Sequence, residues 1–324
     1  MSYATARRVD FSEIPVIDLV QPAAALGIAI RAAAIDVGFF YIAGHGVPRP
    51  VIETAFTEAR AFFRAPDAVK ESVRVNRLHR GWLKPGGATM EGAARPDLKE
   101  SFIFGLELPE TDPDVLAGTP LMGPNQWPAA MPRLRPALAA YYDAVLACGQ
   151  RLLRGFAAAL RLPEDHFEAA FRKPLARGTA IWYPPQPPGD ADQFGVSAHT
   201  DYGCITILAQ DATGGLQVKN RAGEWIAAPP IPDTFVINIG DLMARWTNDL
   251  FVSTPHRVVN ASGRERQSIA TFYDPNFHTP IAVLPTCIEP GIPAAYPPTT
   301  CGAHIVGRFD RSFAYRTEGA GSAP

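Results

Sequence analysis

The chain has 324 residues, 47% of them hydrophobic, enough for one large domain or two small ones with a substantial core. A formal net charge of −2 without any block of Lys or Arg excludes a phosphate-backbone footprint, so nucleic acid is not an expected partner. Four cysteines without CxxC spacing, and a Met-Ser-Tyr-Ala-Thr-Ala-Arg-Arg start with no apolar run after it, argue against a disulfide framework, a zinc ribbon, a signal peptide and a membrane span; the cytoplasm is the expected compartment.

Ile14-Pro-Val-Ile-Asp18 predicts a short strand, and residues 21–36 an Ala-rich helix stopped by Gly38. A strand follows over Phe39–Ile42. His45-Gly46-Val-Pro48, with His45 in a structural role, then turns the chain into a helix over residues 49–64 that carries Phe62 and Phe63 on its apolar side. Residues 80–99 read as a solvated loop, and in Lys99-Glu-Ser-Phe-Ile-Phe-Gly105 the period of 2 puts Phe102 and Phe104 on one face. Proline, at 32 residues, is about twice the usual roughly 5% and clusters in residues 108–132, 184–190 and 284–298, which predicts long structured loops. The longest helical pattern runs from Pro132 to Leu162, and a further one opens after Pro163. From Thr179 to Pro285 short β-type runs alternate with Gly, Pro, Asn and Asp, the pattern of a sandwich or jelly roll.

Within that β region, Val196-Ser-Ala-His199-Thr-Asp201 sets a His and an Asp two residues apart. With 7 His and 32 acidic residues, chance alone supplies roughly 0.7 such pairs, and His166-Phe-Glu168 is one. In its helical pattern that pair sits about 200° apart around the axis and cannot share an ion. On a strand His199 and Asp201 point to the same face and can. The later Ser253-Thr-Pro-His256 adds a second imidazole, and two imidazoles plus one carboxylate leave open positions of the kind non-haem Fe(II) oxygenases need. Arg266 and Ser268, also two apart, share a face and can bind one carboxylate together, a charge-assisted contact of roughly 1.5–3 kcal/mol. Phe272 falls on that same face, and Asn238-Ile-Gly-Asp241 reads as a strand end and helix start with Asp241 as its N-cap.

Several further motifs follow one another in a fixed order. Toward the N-terminus they are Ile14-Pro-Val-Ile-Asp18, Gly38-Phe-Phe-Tyr-Ile-Ala-Gly-His-Gly46, Phe62-Phe63 and Arg80-Gly-Trp82. Later come Trp182-Tyr-Pro-Pro185, His199-Thr-Asp201, Gly215-Leu-Gln-Val218, Asn238-Ile-Gly-Asp-Leu242, Ser253-Thr-Pro-His256 and Arg266-Gln-Ser268. The ordered set resembles the Fe(II)/2-oxoglutarate-dependent dioxygenases of the isopenicillin N synthase-like family. The resemblance implies an α+β fold whose mainly β catalytic core is a double-stranded β-helix, or distorted jelly roll, with flanking helices.

On this reading residues 1–120 are a non-catalytic mixed α/β region and 121–174 a long helix and connector. Residues 175–285 are the jelly-roll core and 286–324 a C-terminal loop or tail, all in one compact unit. The resemblance further implies that His199, Asp201 and His256 ligate Fe(II), that Arg266 and Ser268 hold the distal carboxylate of 2-oxoglutarate, and that Tyr183 supplies a further donor to it. Phe272 lines the substrate pocket, Phe102 and Phe104 offer an opposite wall, and Arg95 or Lys99 borders the mouth, where an anionic group could be met. Ile181 departs from the Asn that many plant relatives carry there, so that hydrogen bond is lost or supplied elsewhere. The implied activity is oxidation of a small organic molecule by O2, coupled to decarboxylation of 2-oxoglutarate to succinate and CO2. The alternatives are an oxidase that uses no 2-oxoglutarate, as in isopenicillin N synthase, and a non-catalytic jelly-roll binding module.

Overall fold

A computed structural model describes residues 4, 6, 7, 13–87, 95–186, 193–288, 290, 291 and 293–313. In chain order the N-terminal part gives β1 (Val16–Asp18), α1 (Ala23–Asp36), β2 (Phe39–Ala43), α2 (Arg49–Phe63) and α3 (Asp67–Glu71). Then come β3 (Gly81–Leu83), β4 (Glu100–Gly105), α4 (Pro113–Leu116) and α5 (Leu134–Ala159). The strand-rich part holds β5 (Arg177–Tyr183), β6 (Val196–His199), β7 (Ile205–Gln210), β8 (Leu216–Lys219), β9 (Trp225–Ala227) and β10 (Phe235–Ile239). It continues through α6 (Asp241–Trp246), β11 (His256–Val258), β12 (Arg266–Tyr273), β13 (Pro280–Ile281), β14 (Thr299–Thr300) and α7 (Cys301–Ser312).

Eight strands form one sheet in the order β1-β2-β10-β7-β12-β5-β4-β3, and four form a second in the order β6-β11-β8-β9. The two N-terminal strands thus extend the large sheet: β2 pairs antiparallel with β10, aligning Phe39 with Asn238. One face of the large sheet is covered by α5, whose apolar stripe buries Leu138, Tyr141, Val145, Leu152 and Phe156. Gly149 marks the closest approach, since a Cβ there would lie 2.6 Å from the Tyr273 ring of β12. The opposite face turns toward the small sheet, and the space between the two sheets is the interior of the jelly roll.

Four local readings change. Gly81–Leu83, expected in a solvated loop, is a buried strand that pairs with β4. Residues after Pro163 form turns rather than a helix, with His166 exposed. The region expected as a C-terminal loop or tail contains α7, started by the Thr300 side chain, which accepts from Ala303 N at 3.2 Å. Asp241, which resembled a helix cap, lies inside α6 behind an N-cap at Gly240, and its carboxylate serves another purpose described below.

Candidate metal centre and active site

His199 ends β6 and His256 begins β11; the two are direct cross-strand partners, and their ring centroids lie 4.3 Å apart. Each ring is turned by its own backbone. His199 Nδ1 is 2.8 Å from Ser197 O, and His256 Nδ1 is 3.2 Å from Thr254 O. With the Nδ1 protons donated to carbonyls, the Nε2 lone pairs face the cavity. They lie 3.6 Å and 3.8 Å from Asp201 Oδ1, and the three potential ligand atoms fall within 4.8 Å of one another. This donor set suits one divalent ion of the iron type.

Asp201 is held in place by its own partners. Its Oδ2 accepts from Asn238 Nδ2 at 2.7 Å and from Thr206 Oγ1, which leaves Oδ1 for an ion. Burial alone would raise its pKa, but the neighbouring His256 and His199 and the Thr206 hydroxyl outweigh it and hold the carboxyl well below its usual range. Burial, reinforced by His199, lowers His256 to about 4, which keeps that imidazole neutral and able to bind a metal at neutral pH. Behind the triad, Asp241 ties the two ligand-bearing segments together: it accepts from Thr200 Oγ1 at 3.2 Å, from Ser253 Oγ at 2.7 Å and from Arg308 of α7. Its backbone N–H donates to Asp201 O at 2.7 Å. The turn after Asp201 is pinned by Asp274, whose Oδ1 accepts from Cys204 N at 2.6 Å. Gly203 leaves room for that carboxylate, because a Cβ would sit 2.0 Å from Oδ1.

An inner chamber of about 540 Å³ runs from the triad to β12 and includes Tyr183, Arg266, Ser268 and Phe272. Arg266 is fully buried; its Nε donates to Gly214 O, and its Nη1 lies 3.3 Å from Ser268 Oγ. Tyr183, its cross-strand partner, lays its ring against the guanidinium at 4.6 Å. An arginine fixed on three sides at the bottom of a chamber is a ready carboxylate receptor.

An outer chamber of about 660 Å³ opens on the other side of the triad and shares Lys99, Ile181, His199, Asp201 and Phe272 with the inner one. Phe272 lines both chambers. Lys99, partly buried and 3.2 Å from Asp97 Oδ2, lies on the boundary, whereas Arg95 is exposed and lines neither chamber. Phe102 and Phe104 correct the expected opposite wall: they face the helices, packing on Phe62, Trp127 and Tyr142. Their neighbours Ser101 and Ile103 line the chamber instead. The alternation along β4 is as read, but the phenylalanines take the core side.

Sequence reasoning missed Arg177, Asn238, Thr206 and the aromatic residues of the C-terminal segment. Arg177 opens β5 and lines the outer chamber, as do His79, Phe309 and Phe313. Asn238 could have been found by its place on a central strand, where a buried amide needs partners. Nothing in the local sequence around Phe309 signals a site.

Two family profiles match the chain. The 2OG-Fe(II) oxygenase superfamily profile covers residues 169–275, and the profile described as non-haem dioxygenase in morphine synthesis N-terminal covers residues 14–130. The chain is 35% identical over 293 residues to the 2-oxoglutarate-Fe(II) type oxidoreductase hxnY of Emericella nidulans, covering 87% of this chain and 84% of that protein. Its fold is similar to that of a full-length Neurospora crassa protein solved in complex with alpha-KG and thymine, with a TM-score of 0.82, 28% identity, and coverage of 94% of this chain and 98% of that one. It is also similar to JOX2 solved with 2OG, Fe and JA, with a TM-score of 0.77, 28% identity and coverage of 93% and 89%. No helix among the described residues is long and apolar enough to cross a membrane. A mixed α+β chain with a jelly-roll core, a His-Asp-His cluster and these relatives is an iron- and 2-oxoglutarate-dependent enzyme: it belongs to the 2OG-Fe(II) oxygenase superfamily.

Proposed function

We propose that His199, Asp201 and His256 hold the Fe(II), that Arg266 and Ser268 bind the far carboxylate of 2-oxoglutarate, and that the outer chamber takes a small organic substrate for hydroxylation. The convergence of the three donor atoms at the junction of two chambers carries this reading. When bound, iron supplies activation of O2, coupled to decarboxylation of 2-oxoglutarate to succinate and CO2 and to oxidation of a substrate C–H bond.

The chain's own residues do the rest. Ser197 O and Thr254 O hold the Nδ1 protons, Asn238 and Thr206 hold Asp201, and Tyr183 steadies the Arg266 guanidinium. Lys99 offers an ammonium donor on the same boundary as Ile181, where an amide donor is missing. Phe272 divides the cosubstrate side from the substrate side and excludes water from both. Four buried, unpaired thiols fit work in a reducing cytoplasm. Substrate-dependent succinate release tests the reading; O2 uptake without succinate would favour the oxidase alternative.

A further inference from the structure

The outer chamber is walled by Leu83, Ile103, Phe272, Phe309 and Phe313, and Arg177 is set among these apolar groups. Arg177 is 4% exposed, and its guanidinium is sandwiched between two rings, 4.9 Å from the Phe272 centroid and 4.5 Å from that of Phe309. The rings hold the fork flat and strip it of water. Its counter-ion is only partly engaged. Nη2 lies 3.5 Å from Asp274 Oδ2, longer than a charge-assisted hydrogen bond, and among the described residues neither that oxygen nor Arg177 Nε has a hydrogen-bond partner. Asp274 spends its other oxygen on Cys204 N. The guanidinium therefore keeps donor capacity in a site where water cannot satisfy it.

The charges around it point one way. Lys99, itself 3.2 Å from Asp97 Oδ2, adds a second cation to the chamber, and among the described lining residues the single carboxylate is Asp201, which is turned to the metal position. A cationic substrate would meet Arg177 and Lys99 with only Asp201, at the metal position, among the described lining residues to receive it, whereas a carboxylate would complete the unspent donors while its apolar frame packed on Phe272.

We infer that the substrate is a small acid, a carboxylate on an aromatic or otherwise apolar frame, and that Arg177 is the residue that selects it. The inference rests on the proposed metal and 2-oxoglutarate sites, since these leave the outer chamber for substrate. The acid is anchored by Arg177 at one end of the chamber and presents its frame to the triad across Phe272.

Calorimetry on anaerobic protein loaded with Fe(II) and saturating 2-oxoglutarate tests this with three matched pairs: benzoate and benzamide, cinnamate and cinnamamide, indole-3-acetate and indole-3-acetamide. At least one acid is expected to bind roughly tenfold or more tighter than its amide, as one charge-assisted contact provides. Arg177→Gln removes the preference, and Arg177→Lys, which keeps the charge but not the fork, retains part of it. Arg177→Gln/Asp274→Asn serves where the single variant does not fold, because it leaves no lone buried charge. Equal binding of acid and amide in every pair, tighter binding of the amides, or a preference that survives loss of Arg177 overturns the inference. Failure of the wild-type protein to load Fe(II) and 2-oxoglutarate would instead strike the proposed function beneath it.

Discussion

The inner chamber draws most of its polar groups from the paired strands of the jelly roll, β5, β6, β7, β10, β11 and β12, and hydrogen bonds hold them: Asn238 and Thr206 hold Asp201, Ser268 meets Arg266, and a backbone carbonyl turns each imidazole. The outer chamber shares β5, β12 and the turn after β6 with the roll, Arg177 standing on β5, and it adds walls from β3 and β4, from the turn at His79 and from α7, elements placed around the roll. The difference separates two tasks. On the proposed assignment, the groups for the chemistry common to the superfamily stand on paired strands, and Arg177 on β5 selects the substrate against a wall of appended segments that can vary without disturbing the metal position.

The harshest way to break the inner chamber is His256→Ala, which removes one of three donors; loss of stoichiometric Fe(II) binding and of 2-oxoglutarate turnover is expected, measured by anaerobic titration and succinate assay. Next comes the boundary drawn along β4. Phe102→Ala should lower stability by about 3–5 kcal/mol in urea unfolding, as a buried core ring does, yet leave the KM for 2-oxoglutarate unchanged. A large shift in that KM with intact stability would put Phe102 in the site after all. Arg266→Gln should raise the KM for 2-oxoglutarate roughly 10- to 100-fold, the equivalent of a charge-assisted contact of about 1.5–3 kcal/mol, with Fe(II) binding retained. Thr206→Val frees one side of Asp201 Oδ2 and should weaken Fe(II) binding by about 10- to 100-fold.

Protonation is the gentlest probe. His256 is held at about 4 against an ordinary 6.5, so the unfolded chain takes up this proton at higher pH than the folded one. The metal-free protein should therefore keep the full contribution of the neutral imidazole above about pH 6.5 and lose it progressively as pH falls toward 4. Thermal melts across that range measure the loss, and His256→Gln should flatten the profile.

The inner chamber was largely legible in the sequence. A period of 2 along β12 puts Arg266 with Ser268 and Phe272, and that geometry survives into the fold because the strand is buried on both faces. Asp201 instead lies just beyond β6, which ends at His199, and is held toward the imidazoles by Asn238 and Thr206. The outer chamber was much less so. Alternation gives two faces to β4 but does not say which one meets α2 and α5, so the pattern alone leaves Phe102 and Phe104 as plausible for the cavity as Ser101 and Ile103, which line it. Arg177 shares the outer chamber with Phe309, more than a hundred positions later, through a fold no local pattern encodes. Asp241 looked like a helix cap because its neighbours fit one. Its bonds to Thr200, Ser253 and Arg308 are tertiary, and they give it the role of a brace behind the metal position.

The central claim, that one metal position joins the two chambers, is tested most directly by anaerobic addition of Fe(II) and then 2-oxoglutarate while the visible charge-transfer absorption of the complex is followed. The wild-type protein should saturate at one Fe(II) and one 2-oxoglutarate per chain, and Asp201→Ala should give no band. A wild-type protein without the band, or an undiminished band in Asp201→Ala, would contradict the account.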